Sequence, residues 1–123
     1  MTADLKDKSG RVVGVTDAYN GMTTGLKHCN YHLSFAGSGS FPHPYNWTEV
    51  SGHFRSVLQK EAETADLLAT NIEGWVKANP NHDAANLAAM KAAAKEYRAV
   101  AKSLLNNSRK LRRAGSCLEV TAT

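Results

Sequence analysis

Residues 81–115 read NHDAANLAAMKAAAKEYRAVAKSLLNNSRKLRRAG. Within this stretch Leu87, Met90, Ala94, Tyr97, Ala101, Leu104, Ser108 and Leu111 follow one another at alternating intervals of three and four. That is the heptad spacing by which one helix lies along another. A second stripe runs beside the first. Lys91, Lys95, Arg98, Lys102, Arg109 and Arg113 fall within roughly 60° of one another and about 115° around the helix from the seam. One side of this helix packs and an adjacent side is basic. Asn79 or Asn81 is the expected cap, with Asp83 in the first turn, where the helix dipole favours an acid. Gly115 is the expected terminator, with Arg112 and Arg113 in the last turn.

Upstream, a turn at Asn79-Pro80-Asn81 separates this helix from another. Pro80 disfavours helical geometry at Asn79. The earlier helix starts at Asn46 as N-cap, with Glu49 completing a capping box and Tyr45 and Val50 in the two staple positions. Its apolar residues run Val50, Phe54, Val57, Ala65, Leu68, Ile72 and Trp75, interrupted by Glu61. Gly52 and Gly74 each cost about 1 kcal/mol relative to alanine in a helix interior. Gly74 is placed to allow a bend or a close contact near Trp75.

The residues before this hairpin read as β structure. Arg11 to Val15 is short and β-branched, and Asn20-Gly21 is a strong hairpin signal. Met22 to Thr24 begins the return. From Leu26 to Phe35, Cys29, Tyr31, Leu33 and Phe35 alternate with polar neighbours, as on a half-buried strand. The expected fold class is therefore α+β: an N-terminal β-hairpin or small antiparallel sheet, then a long antiparallel helical hairpin that oligomerises. One domain spans 1–123, with a flexible arm at 1–9, the β part at 10–36, a Gly/Ser/Pro linker at 37–45, the helical hairpin at 46–115 and a tail at 116–123. The tail has Leu118 and Val120 alternating with polar residues, so a last strand stays open there.

Oligomerisation is expected from length. Two helices of some 30 residues are about 45 Å long, whereas a compact domain of this size has a radius of gyration near 14 Å. The remaining residues are too few to cover both rods. A second copy is the expected cover, with Leu87, Met90, Tyr97, Ala101, Leu104 and Leu111 in the oligomer seam.

Composition sets the class of protein. The chain is 42% hydrophobic and 21% charged with a net charge of +4, which is ordinary for a folded, soluble domain. No signal peptide or membrane span is read in it. The two cysteines, Cys29 and Cys117, define no disulfide framework, and a cytoplasmic location is expected. Charge is uneven. Between His82 and Arg113 eight lysines and arginines stand against Asp83 and Glu96 alone.

Chemistry-bearing groups are sparse. His28, Cys29 and His32 invite a zinc reading, but on a strand Cys29 faces away from the histidines, which then lie about 13 Å apart. Cys29 has no carboxylate between Asp17 and Glu49 to orient a histidine. Cys117 reads as a partly buried tail cysteine. Gly37-Ser38-Gly39-Ser40 has no following Lys-Ser or Lys-Thr, so it is no phosphate loop. No catalytic residue, metal site or cofactor is assigned. The expected function is non-catalytic: an oligomer that engages an anionic partner, either a nucleotide, a nucleic acid or an acidic protein surface. Arg98, Lys102, Arg109, Arg112 and Arg113 are the expected anion-binding residues, since clustered arginines make bidentate contacts to phosphate and carboxylate. The alternative is a structural or protein-interaction module in which the charges serve solubility and register.

Overall fold

The computed structural model describes residues 13–34 and 45–122, and every regular element in it is helical: α1, Val13–Leu33; α2, Tyr45–Ala78; and α3, Ala84–Ala122. Among the described residues there is no strand, which overturns the α+β expectation. The chain divides into two units, Met1–Pro42 with α1 and His43–Thr123 with α2 and α3. The arm at 1–9, Arg11 and the linker up to Pro44 lie outside the described residues.

In place of the expected β-hairpin stands α1. The period-two alternation from Cys29 to Phe35 is real but short. Over the longer span Val15, Tyr19, Met22, Leu26, Cys29 and Leu33 are spaced alternately by four and three, which is a helical stripe. Six positions at helical period outweigh four at strand period. Asn20-Gly21 sits inside the helix, and a glycine there costs about 1 kcal/mol, too little to break a helix of this length. The helix closes at Ser34, whose N–H donates to Asn30 O at 3.0 Å and whose hydroxyl donates to Tyr31 O at 2.6 Å.

The helical hairpin is present and longer than expected, about 50 Å in α2 and 60 Å in α3 at 1.5 Å per residue. α2 begins at Tyr45, one residue ahead of the expected Asn46 cap. At its other end Asn79 caps it, the side-chain amide donating to Trp75 O at 2.8 Å. The edge of the His82 ring meets Trp75, centroids 5.0 Å apart. Asp83, not Asn79 or Asn81, is the N-cap of α3: its carboxylate accepts from the Asn86 N–H at 3.1 Å. α3 runs through Gly115 to Ala122, so the terminator and the strand alternative for the tail both fail. A lone glycine is no stop when the next turn has a packing surface to reach. Gly115 faces α2, where a Cβ would lie 3.7 Å from Ser51 Oγ, and Leu118 is half-buried. No such contact surrounds Gly52 or Gly74.

The α3 seam is the face that α2 covers. Leu87, Met90, Leu104 and Leu111 are half-buried, Ala94, Ala101 and Ser108 are buried, and only Tyr97, 37% exposed, reaches the surface. On α2 the buried face is a heptad series as well: Thr48, Ser51, Arg55, Leu58, Ala62, Ala65, Ala69, Ile72, Val76 and Asn79 are all buried or half-buried. Of the expected series, Ala65 and Ile72 lie on this face and the others fall one residue before it. Phe54, Val57, Leu68 and Trp75 each precede a seam position and stand about 100° around the helix from it. They are 54%, 41%, 36% and 42% exposed. The hairpin thus encloses its alanines and leaves its large apolar side chains on a flank. Alanines let two backbones approach closely, which fixes the helix separation. They bury only about 0.8 kcal/mol of methyl each, so the core at Ala62, Ala65 and Ala101, with Leu104 against it, is thin.

Candidate anion-binding cleft

The register of the hairpin decides which charges meet. Residues one position after the seam on α2 lie beside residues one position after the seam on α3. Arg98 shows this. Its guanidinium donates to Glu73 Oε1 at 2.7 Å, Asp66 Oδ1 at 3.2 Å and Thr70 Oγ1 at 3.2 Å, and to Asp66 O at 3.3 Å. Glu73 first and Asp66 second raise the Arg98 pKa above its ordinary value. Arg98, expected to bind an anion, clasps α3 to α2. The acids of α2 have taken it.

Toward the open end of the hairpin the balance reverses. Before Glu61 the α2 residues include one described acid, Glu49, and its carboxylate stands 4.0 Å from His53. Here Arg55 of α2 comes beside Arg109 and Arg112 of α3, and the three line one hollow of about 430 Å³ with Gln59, Leu105 and Ser108. A second hollow of about 310 Å³ shares Arg55 and Arg112 and adds Thr48, Ser51, Gly52, Leu111, Gly115 and Ser116. Together they form a groove along the helix junction, walled by guanidinium groups and hydroxyls.

No ion pair to Arg55, Arg109 or Arg112 occurs among the described residues. Among the described residues Arg109 donates only to Asn106 Oδ1 of its own helix, at 2.8 Å. Thr48 Oγ1 is buried and lacks a hydrogen-bond partner among the described residues. Ser51 spans the groove floor, its hydroxyl donating to Leu111 O at 3.3 Å. Three cations line this groove, and no carboxylate among the described residues pairs with them.

Of the sequence-predicted set, Arg109 and Arg112 line the groove and Arg98 lies apart from it in the clasp. Lys102 and Arg113 are exposed on α3 and line neither hollow. Arg55 was missed. Its signal is that it interrupts a seam otherwise built of small and aliphatic residues, where a cation is out of pattern.

The other chemistry-bearing residues are not gathered at the groove. His28 and His32 occupy one face of α1, ring centroids 5.2 Å apart, because a helix brings i and i+4 together where a strand would separate them. Among the described residues no third His, Cys, Asp or Glu joins them in a ligand cluster. Cys29 and Cys117 are both exposed free thiols, so Cys117 is not the partly buried residue expected. No helix among the described residues is long and apolar enough to cross a membrane. Comparison with protein-family models, with curated proteins and with solved structures finds no match to this chain.

Proposed function

We propose that this chain is a non-catalytic binding protein that holds a phosphate-bearing polyanion, in the first place a nucleic-acid backbone, in the Arg55/Arg109/Arg112 groove. The observation that carries the reading is the convergence of these three guanidiniums from two helices with no carboxylate partner among the described residues. A guanidinium fork matches a phosphate oxygen pair. The groove is open and continues along α3 past Arg112 to Gly115 and Ser116. That suits an extended chain of phosphates better than one nucleotide.

The test is fluorescence anisotropy with labelled single- and double-stranded oligonucleotides over a salt series. Three phosphate contacts give a log–log slope of about −2 to −3. Arg55→Gln and Arg112→Gln should each weaken binding across sequences alike and reduce the slope by about 1. Arg98→Gln, already paired within the hairpin, should change the slope little. Oligonucleotide affinity unaltered in the Arg55→Gln/Arg112→Gln double variant, with helicity retained, refutes the reading.

A second reading, an assembly module whose charges set register, is favoured by the Arg98 clasp. It spends one stripe cation on holding two helices in place.

A further inference from the structure

The flank opposite the charged one is apolar, and its residues are ordered in a way that points to a particular occupant. On α2, Val50, Phe54, Val57, Leu68 and Trp75 occupy the positions just before the seam. On α3 the equivalent positions include Ala89, Ala93, Glu96, Val100, Ser103, Lys110 and Ala114. Because the positions after the seam meet on one flank, at Arg98 and Asp66, the positions before it share the other. Phe54, Val57, Leu68, Trp75 and Val100 are between 36% and 54% exposed there. They leave on the order of 400 Å² of apolar surface open, interrupted by Glu61, Thr64 and Asn71, the size of the largest patch on a typical monomer, which often has a function.

We infer that a second copy of this chain covers this flank, the two hairpins stacking about a two-fold axis so that each α2 runs antiparallel to the α2 of the other copy. Area is the first argument. A standard interface takes about 800 Å² from each partner, somewhat over half of it apolar, and this flank supplies about that much apolar surface. The core within one hairpin is mostly alanine, so the large side chains that would stabilise the fold are the ones left outside it.

Register is the second argument. Centring the two-fold between residues 62 and 63 of α2 places Val50 opposite Trp75 of the second copy, and Val57 opposite Leu68 of the second copy. Polar Glu61 then falls opposite Thr64, and Phe54 opposite Asn71. Within one hairpin Ser51 lies level with Leu111 and Gly115, and Asp66 with Arg98. The same axis therefore crosses α3 between residues 101 and 102, which sets Val100 opposite Ser103 of the second copy and Lys110 opposite Ala93, so no like charges meet along α3. The arrangement also keeps apart the two open ends, each with Arg55, Arg109, Lys110, Arg112 and Arg113. A parallel stack would crowd them together against their own repulsion. The groove lies on the opposite flank and stays open in the dimer, so this interface stands or falls independently of anion binding.

The experiment uses the full chain in light scattering and analytical ultracentrifugation at 1–100 µM. The expected mass is twice the 13.3 kDa of one chain. Val57→Asp and Leu68→Asp should each yield monomer with helical circular dichroism retained, since neither side chain lies in the seam. With Cys29 and Cys117 changed to serine, Ser103→Cys should be joined to its counterpart by a short bismaleimide, while Leu67→Cys should not. A wild-type monomer at 100 µM overturns the inference. So does a dimer that survives Val57→Asp and Leu68→Asp.

Discussion

Replacing Ala69 with leucine tests the seam directly. Ala69 is 0% exposed and sits midway along the α2 face that meets α3. The substitution adds three carbons. Transferred freely from water to an apolar site they would gain about 2.4 kcal/mol, at about 0.8 each. They have no free volume to enter, because alanines on both helices set the separation of the backbones. Overpacking of a filled core costs about 1–3 kcal/mol through forced rotamers and backbone shifts. The helix propensities of alanine and leucine differ too little to offset this. A net loss of 2 kcal/mol lowers Tm by roughly 8–16 °C in a hairpin of this length. The assay is thermal unfolding by circular dichroism, run beside Ala99→Leu as an exposed control on α3, expected within about 0.5 kcal/mol of wild type. An Ala69→Leu variant as stable as the Ala99→Leu control would show that the alanine face is not the contact. The exposed Phe54/Val57/Leu68/Trp75 stripe would then be the true inner face.

Two smaller changes probe local claims. Asp83→Ala removes the carboxylate that accepts from the Asn86 N–H and should cost about 1 kcal/mol by chemical denaturation; Asn81→Ala should cost much less, and the reverse order would reinstate Asn81 as the cap. The His28/His32 pair has no third ligand among the described residues, so chelator treatment should leave Tm unchanged, whereas the pair should retain the chain weakly on a nickel resin in a manner that His32→Ala abolishes. A large chelator effect would mean that a closed ligand set exists.

The α3 seam is legible in the sequence because every residue along it is apolar or small and the basic stripe stands clear of it. The α2 seam is harder to read. Its true positions hold Ser51, Arg55, Ala62, Ala65 and Ala69, which resemble helix formers or surface residues. The larger Phe54, Val57, Leu68 and Trp75 one position earlier carry the stronger hydrophobic signal. Hydrophobicity ranks residues by area, and the contact between these helices selects for smallness. Arg55 was missed for the same reason, since its being out of pattern shows only once the inner face is known. In α1 the error was one of window. Short β-branched runs and Asn20-Gly21 suggest strands locally, while the Val15-to-Leu33 stripe needs the whole segment to be seen.

Which cations of α3 find a carboxylate is decided by where α2 keeps its acids. The basic stripe of α3 looks uniform from Lys91 to Arg113, but its neighbours are not. Toward the turn, Asp66 and Glu73 answer it and hold Arg98 by both carboxylates. Lys60 and Glu63 pair along α2 itself at 3.7 Å. Beyond that point the face of α2 turned to α3 offers Gln59, Arg55, Ser51 and Thr48, none of which neutralises a cation. The density of arginines at 109–113 would mean little beside an acidic partner helix, as the fate of Arg98 shows. At 109 and 112 the arginines keep no carboxylate partner among the described residues, because α2 offers there an arginine and two hydroxyls, those of Thr48 and Ser51, where a carboxylate would have closed the groove. Placing Glu at position 55 should therefore do more than remove one charge. Arg55→Glu would build a second clasp, drawing in Arg109 and Arg112 as Arg98 is drawn in now, and would stabilise the hairpin while abolishing oligonucleotide binding.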